Sequence, residues 1–460
     1  MAEVCEPSEI FQCPGEANPI SRAVHLGRLA RFYPACRTCL LHDDTGLLSA
    51  KHVARLLETR RRAPRGDLFD GEGLSGTAAT EITPEVTRRF ASALAQLLHT
   101  ELAASIEPAP HDDDYENYDD DRTSPNTQAV VRPKVVLAGD GRPLTADLVA
   151  AAAEGLRFAG CDVVDLGGTT APQLIHVQRA LMADGGMLIG NAITLGTQTS
   201  GQHGVTLRGW RTGSLPCSAV AGLEEIATGC SDKGASQAAR SAAAGLSAAT
   251  FGNLRRYQSE AAYLAELEPY FHALRPLRIG FDSASLPLAR QIERLSANVA
   301  CQFVRPGGAV TSAASPLPSS DKSSLDLSIA VDGDGEACQV SDERGKPVPG
   351  HRLLAALATP LLCDSPGRAV IIEKDAPKET DRWITELGGR PVRCEPVRAE
   401  MYWAMHRHDA LLGGGASGRF WFGGAQPAAD ALRTLAHLLV LLSQSDRPLS
   451  AVAGRSIFKA

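Results

Sequence analysis

Aromatic residues are scarce in this chain, and long apolar runs are missing from it. Phe, Trp and Tyr make up 5% of the 460 residues, so the buried cores must consist mainly of Ala, Leu, Val and Ile. The longest apolar run, near residues 438–442, is far shorter than the roughly 20 residues of a membrane-spanning helix. Neither sign of charge dominates, since 46 Lys and Arg against 53 Asp and Glu give a net charge of -7. We therefore expect no nucleic acid and no membrane as a partner.

Secretion signals and a disulfide pattern are also lacking. The first 20 residues contain no apolar core run, so we expect no signal peptide. The chain has 11 cysteines, an odd number spread along its length, which is not the pattern of a disulfide framework. These features predict a soluble protein of the reducing cytoplasm.

From Leu68 onward, strand and helix patterns alternate, which predicts an α/β fold with parallel or mixed sheets. Thr83 and Pro84 are the expected N-cap and first residue of a helix. Further helices are expected at residues 148–158, 286–295, 378–387 and 429–442. Strands are expected at residues 134–138, 162–166, 277–281, 325–331 and 369–373. The length suggests about three such α/β units in series.

Two segments interrupt this pattern. Residues 1–66 form a Cys-rich and Arg-rich module whose end, residues 58–66, is expected to be an exposed linker. Residues 108–128 contain an acidic block without periodicity, which predicts a disordered loop. The expected domains are therefore the module 1–66 and three α/β/α domains at 67–250, 251–346 and 347–460.

Glycine-rich and polar segments follow several predicted strands, at the edge where open α/β sheets bind ligands. In chain order they are residues 69–76 (FDGEGLSG), 140–143 (DGRP), 184–194 (DGGMLIGNAIT), 332–337 (DGDGEA) and 413–419 (GGGASGR). Over roughly residues 68–453, their order resembles that of the α-D-phosphohexomutases, the family of phosphoglucomutase and phosphomannomutase. The resemblance implies three α/β/α domains of that type. It also implies intramolecular phosphate transfer, an isomerase reaction, on a hexose phosphate of carbohydrate metabolism.

The position that carries the chemistry of that family is altered. Where the family has the serine that holds the transferable phosphate and then a histidine, this chain has Ala192 and Ile193. An alanine methyl group has no lone pair with which to attack phosphorus. Ser75 and Thr206 replace an arginine and a lysine of the family. We therefore expect no catalytic residue here, unless a hydroxyl of residues 194, 197 or 200 substitutes by a shift of the loop.

Other segments are better preserved and supply the expected ligand contacts. Asp140 and Arg142 match the family's D-x-R-P segment, and Ser417 matches the serine of its sugar-recognition loop. In that loop Arg419 replaces a histidine, and Gly415 replaces the glutamate that contacts sugar hydroxyls. The resemblance implies hexose phosphate contacts from Asp140, Arg142, Ser417 and Arg419.

A magnesium site is expected at residues 332–337, which resemble the family's metal loop D-G-D-G-D-R. Its ligands would be Asp332, Asp334 and Glu336, since alternating carboxylates on a glycine-rich turn suit Mg²⁺. Ala337 replaces the arginine of the motif, and Glu336 is one methylene longer than the family's aspartate. The alternative is an acidic turn that no longer binds metal. A fourth domain, with the family's R-x-S-G-T-E-P phosphate loop, has no match in this sequence.

A second metal site is expected in the amino-terminal module. Cys36 and Cys39 form a Cys-x-x-Cys pair, and Cys13 with His25 would complete a tetrahedral Zn²⁺ set. Cys5 or His42 is an alternative ligand, and reduced buried cysteines or a redox pair are alternative interpretations. Zinc would stabilise a segment with too small a core of its own.

Three functions follow from these patterns. The first is a pseudoenzyme that retains binding of a sugar phosphate or of a partner protein in the cleft that corresponds to the active site of the phosphohexomutases. The second is an active phosphohexomutase with a divergent site. The third is a zinc-stabilised interaction protein, for which the α/β body is a scaffold.

Overall fold

The computed structural model describes most of the α/β part of the chain and less of the amino-terminal module. Described are residues 18–31, 44–46, 48–61, 68–105, 132–192, 204–217, 251–283, 285–297, 299–304 and 325–454, residues 33, 36 and 41, and the backbone of residues 10–11. The acidic block 108–128 and Ile193 lie outside this set. The zinc candidates Cys5, Cys13, Cys39 and His42 lie outside it as well.

The described residues of the amino-terminal module include two short strands and two helices. These are β1 (Ile10–Phe11), β2 (Ile20–Ser21), α1 (Arg22–Ala30) and α2 (Ala50–Arg61). Ser21 caps α1 as expected, since its side chain accepts a hydrogen bond from the Val24 amide at 3.4 Å. The expected linker at residues 58–66 is wrong at its start, because α2 continues through Arg61. Arg and Glu are both good helix formers, so the helix continues into this segment until shortly before the first proline.

The first sheet has six strands among the described residues, in the order β3-β7-β6-β4-β5-β8. They are β3 (Leu74–Thr77), β4 (Lys134–Gly139), β5 (Asp162–Gly168), β6 (Gly185–Asn191), β7 (Gly204–Trp210) and β8 (Leu254–Arg256). Its helices are α3 (Pro84–Ser105), α4 (Ala146–Phe158) and α5 (Ala171–Ala180). The sheet is mixed, because β4 pairs in parallel with β5 and β6 whereas β7 is antiparallel to β6 and β3. The expected boundary at residue 250 needs correction, since β8 pairs with β5 and so belongs to this sheet.

The second sheet, as far as residues 278–304 and 325–341 are described, has four strands in the order β10-β9-β11-β12. Its elements are α6 (Glu260–Leu267), β9 (Arg278–Ser283), α7 (Leu286–Ser296), β10 (Gln302–Val304), β11 (Leu327–Val331) and β12 (Cys338–Ser341). Strand β9 pairs in parallel with β10 and β11, and β11 is antiparallel to β12. The turn between β11 and β12 is the acidic segment 332–337, which we call the acidic turn.

The third sheet has five strands in the order β14-β13-β15-β16-β17. Its elements are α8 (Gly350–Asp364), β13 (Ala369–Glu373), α9 (Glu379–Glu386), β14 (Arg390–Cys394), α10 (Arg398–Arg407), β15 (Leu412–Gly414), β16 (Trp421–Phe422), β17 (Ala428–Ala429), α11 (Ala431–Ser443) and α12 (Leu449–Val452). One continuous apolar core joins the second and third sheets. Among the described helices, none has the length and apolar character needed to cross a membrane.

A buried histidine in this shared core gives the protein a pH-dependent stability. His437 on α11 lies between the rings of Tyr270 and Phe422, at centroid distances of 4.6 and 5.0 Å. Burial, together with the charge of Arg433, lowers the pKa of His437 from its ordinary value of 6.5 to about 4. The unfolded chain therefore binds this proton between about pH 6.5 and 4, whereas the folded chain does not.

We expect His437 to reduce the free energy of unfolding as the pH falls through this window. The stabilisation is complete above about pH 6.5, and up to about 3 kcal/mol is lost by about pH 4. Between about pH 6.5 and 4, the free energy of unfolding of the His437→Phe variant should fall by that much less than the free energy of unfolding of the wild type. Urea unfolding of both proteins at several pH values measures the difference. Parallel pH profiles would contradict a buried neutral imidazole.

Candidate functional site

The positions at which this chain differs from the phosphohexomutase motifs lie side by side on the first sheet. In the register of β3, β7 and β6, Ser75 faces Thr206, and Thr206 faces Gly190. Ala192 follows β6 and is 6% exposed, and its amide donates to Gly204 O at 3.4 Å. Ser75, Thr206 and Ala192 therefore belong to one surface, at the carboxyl end of β6.

Asp140 and Arg142, expected to contact a ligand, contact each other and the protein backbone. Arg142 Nε lies 2.5 Å from Asp140 Oδ2. Its Nη2 donates to Gly204 O at 2.8 Å and to Gly190 O at 3.3 Å. Arg142 thus holds together the ends of β6 and β7, on either side of residues 193–203. The contacts described for this pair are thus with each other and with the ends of two strands.

The acidic turn is buried and lies against the first sheet. Asp334 Oδ1 accepts a hydrogen bond from the Asn191 amide at 3.1 Å, and the Ala171 amide donates to Asp334 O at 2.9 Å. Asp332 Oδ1 accepts from the Glu336 amide at 2.9 Å, within the turn itself. Burial raises the pKa of Asp332 to about 7, and repulsion by Asp334 and Glu336 adds to this. Burial also raises the pKa of Asp334, to about 6, against the attraction of Arg208.

Glu336, the third expected magnesium ligand, forms an ion pair with an arginine from a helix beside the third sheet. Arg398 stands at the start of α10, and its Nε and Nη2 lie 2.6 and 2.5 Å from Glu336 Oε2. The side chains of Arg398 and Glu336 are 6% and 3% exposed, so this is a buried ion pair. It fixes the acidic turn of the second sheet to the third.

The same arginine also binds the first glycine-rich segment. Arg398 Nη1 forms an ion pair with Glu72 Oε2, and the Arg398 amide donates to Glu72 Oε1 at 3.0 Å. Arg419 Nη2 adds a longer contact of 3.5 Å to Glu72. Burial alone would raise the pKa of Glu72, but Arg398 and Arg419 outweigh it and lower the pKa to about 2. Residues from all three sheets therefore meet in one charged cluster, formed by Glu72, Glu336, Arg398 and Arg419, which we call the central cluster.

The loop at residues 413–419 is organised by a carboxylate from the neighbouring strand end. Glu373, the last residue of β13, accepts a hydrogen bond from the Ser417 amide at 2.8 Å and another from the Ser417 hydroxyl. Its side chain occupies the space beside Gly415, where an added Cβ would lie 2.7 Å from Glu373 Oε2. Ser417 therefore orders its own loop through Glu373. On the other side, Arg419 pairs with Ala337 across the acidic turn.

Neither expected metal set is assembled in the part of the chain that the structure describes, where no group of three His, Cys, Asp or Glu side chains could hold a metal ion. For magnesium, the physical reason is the occupation of Glu336 by Arg398. For zinc, the described candidates are His25 and Cys36, and His25 Nε2 lies 3.0 Å from Asp44 O. Because Cys13 and Cys39 lie outside the described residues, the zinc set stays a prediction without support.

Sequence reasoning missed Glu72, Glu373 and Arg398 as members of the site. Glu373 and Arg398 each carried a weak signal, because both stand at or just after the carboxyl end of a strand that opens toward the cleft. Glu72 lies within the first glycine-rich segment, between two glycines. What no local pattern shows is that these residues pair with one another.

Comparisons with known proteins agree with the motifs. Residues 125–191 match the family model described as phosphoglucomutase/phosphomannomutase, alpha/beta/alpha domain I. The chain is 28% identical over 318 residues to a phosphomannomutase of Salmonella typhimurium, and the match covers 64% of this chain and 66% of that enzyme. The chain thus spans just under two thirds of that relative's length.

Solved structures share the fold. A phosphoglucomutase/phosphomannomutase family protein of Burkholderia thailandensis has a TM-score of 0.63 at 18% identity, covering 85% of this chain and 80% of that one. A serine-to-alanine variant of Aspergillus fumigatus N-acetylphosphoglucosamine mutase, in complex with glucose 1,6-bisphosphate, has a TM-score of 0.52 at 13% identity, with coverages of 85% and 80%. In its ordered motifs and over residues 125–191 the chain is therefore similar to the phosphoglucomutase/phosphomannomutase family, and its three α/β sheets share the fold of these solved structures.

Proposed function

We propose that this protein is a non-catalytic phosphohexomutase homologue that binds a hexose phosphate in the cleft between its three sheets. The observation that carries the proposal is the surface at the carboxyl end of β6. There Ala192 occupies the nucleophile position, and the adjoining Ser75 and Thr206 carry no positive charge. A phosphoryl group would find neither an attacking atom nor these two cations at this surface.

Retained binding is supported by the position of the other polar segments. The acidic turn, the loop at residues 413–419 and the segment around Glu72 converge at the central cluster, where open α/β sheets present their ligand sites. The serine-to-alanine variant of the Aspergillus fumigatus enzyme is in complex with glucose 1,6-bisphosphate. In that relative, a serine-to-alanine substitution is thus compatible with a bound sugar bisphosphate.

A second candidate is an interaction scaffold without a small ligand. It is favoured by one observation, which is that the arginines around the cleft already have partners. Arg208 binds Asp70 through two contacts of 2.6 and 2.9 Å, and Arg398 binds Glu72 and Glu336. A phosphate ligand would have to compete with these carboxylates. Scaffold and ligand-binding protein differ in whether hexose phosphates bind.

Two assays on the full chain test these functions. In a mutase assay with hexose 1-phosphate, a hexose bisphosphate activator and Mg²⁺, we expect no turnover above the blank, for the wild type and for Ala192→Ser alike. Restoring the hydroxyl alone should not suffice, because Ser75, Thr206 and Ile193 remain unchanged. Turnover by the wild type that is retained in Ala192→Ser would show an active, divergent mutase instead.

Calorimetric titration then separates a ligand-binding protein from a scaffold. We expect heat on titration with glucose 1-phosphate or mannose 1-phosphate and none with unphosphorylated glucose, because the phosphate is the group that can form charge-assisted hydrogen bonds with an arginine such as Arg419. Arg419→Met, which removes a partly exposed cation from the cleft, should weaken binding at least about tenfold. The absence of heat at millimolar hexose phosphate would leave the scaffold function.

A further inference from the structure

The resembling family implies a divalent metal ion at the acidic turn, but the residues present do not fit one. An Mg²⁺ ion in such a turn needs several carboxylate oxygens directed at one point. Here the three carboxylates are directed at different partners. Asp332 accepts a hydrogen bond from the Glu336 amide, Asp334 accepts one from the Asn191 amide on the first sheet, and Glu336 accepts one from Arg398.

Arg398 supplies positive charge where the ion would otherwise do so. Its guanidinium group lies between Glu336 and Glu72, and all three side chains are at most 16% exposed. A guanidinium group has five donors in a rigid plane, so it can serve two carboxylates at once, as an ion does. Its charge is permanent, because burial alone would lower the pKa of Arg398 but Glu336 and Glu72 raise it further above its ordinary value.

The acidic turn also packs closely against the backbone of β6. An added Cβ at Gly190 would overlap Asp334 Oδ1, and one at Gly333 would lie 2.8 Å from Asn191 O. The turn therefore packs directly on the end of β6. The Asp334 carboxylate in particular lies against the backbone of that strand.

We propose that Arg398 takes the place of the divalent cation in this protein, so that the central cluster is complete without a metal ion. The guanidinium group neutralises Glu336 and Glu72 and links the acidic turn to the first and third sheets. The acidic turn is then a structural contact of the fold. The inference concerns the metal alone, and it holds whether or not a hexose phosphate binds.

Direct metal binding to the full chain tests this proposal without any enzymatic readout. After treatment with EDTA and dialysis, the protein is titrated with Mn²⁺, a spectroscopic substitute for Mg²⁺, and the free ion is followed by electron paramagnetic resonance. We expect the wild-type chain to leave the free Mn²⁺ signal unchanged at equimolar concentrations. Its melting temperature should also be the same with and without millimolar Mg²⁺, because an ion that binds the folded state would raise it.

The decisive variant is Arg398→Met, which leaves the acidic turn intact and removes the internal cation. We expect it to bind Mn²⁺ at least about tenfold more tightly than the wild type and to gain thermal stability from the ion. Adding Asp332→Asn to it should abolish the gain. Arg294→Met, which removes an exposed arginine of α7, is the control and should match the wild type.

Two results would overturn the proposal. One is stoichiometric Mn²⁺ binding by the wild type that Asp332→Asn removes, since the loop would then hold an ion beside Arg398. The other is a folded Arg398→Met variant that gains no affinity, since Arg398 would then not be what replaces the ion. If Arg398→Met does not fold, Arg398→Gln combined with Glu72→Gln gives the same test, because it removes one charge of each sign. A folded double variant without a gain in Mn²⁺ affinity then counts against the proposal in the same way.

Discussion

Replacing Gly415 by glutamate is expected to destabilise the protein by about 3 kcal/mol, although it restores the residue that the family carries in this loop. A Cβ at residue 415 would lie 2.7 Å from both Cβ and Oε2 of Glu373, a side chain that is 2% exposed. The new carboxylate would also be placed beside an existing buried one, without a cation to separate them. Urea unfolding of Gly415→Glu and the wild type measures the loss.

The cause of that loss can be isolated with a second variant. Glu373→Gly removes both the Cβ and the carboxylate that a side chain at residue 415 would meet, so Gly415→Glu/Glu373→Gly should be more stable than the sum of the single effects predicts, by about 1–2 kcal/mol. Gly27→Glu is the control, because nothing lies within 4 Å of a Cβ at this exposed helical position. If the effects of the two substitutions on the free energy of unfolding are additive, the Glu373 side chain is not what opposes a side chain at residue 415.

The secondary structure was largely predictable, because it follows from local patterns. The strand expected at residues 369–373 is β13 with the same ends, and Thr83 caps α3 through a 3.3 Å hydrogen bond to the Val86 amide. Short strands with few apolar residues were missed. Strand β14 (Arg390–Cys394), for example, has two arginines among its five residues. Such strands are defined by their neighbours in the sheet and not by their own hydrophobicity.

The candidate site was predictable in its location but less so in its contacts. The motif order placed Ala192, the acidic turn and residues 413–419 at strand ends, and the structure brings the acidic turn into contact with Asn191, the residue before Ala192, and with Arg419. The partner of each charged residue, by contrast, depends on tertiary structure. Asp140 and Arg142 are retained from the family motif, yet here they bind each other and the ends of β6 and β7.

The losses and gains of charge in the site are related. A family site that loses cations at the positions of Ser75, Thr206 and Ala337 would leave its carboxylates without compensation, which is costly for buried groups. Arg398 and Arg419 restore positive charge from the third sheet. In this site the cations of Arg398 and Arg419 are directed at the protein's own carboxylates, Glu72 and Glu336.

Truncating Arg398 to methionine should have the largest effect on stability, a loss of about 3–5 kcal/mol in the free energy of unfolding. The methionine fills much of the space, but Glu72 and Glu336 are left buried without their shared cation. Adding Glu72→Gln and Glu336→Gln should recover most of the loss, because neutral amides need no counterion. Arg294→Met, which removes a mostly exposed ion pair with Glu260, should cost less than about 1 kcal/mol.

Urea unfolding of the four proteins at neutral pH measures these differences. If Arg398→Met is as stable as Arg294→Met, the central cluster does not hold the three sheets together. If the triple variant is no more stable than Arg398→Met, the loss comes from packing and not from the unpaired carboxylates. Recovery in the triple variant, together with loss in the single variant, assigns the stability of this contact to the charge of one arginine shared by two glutamates.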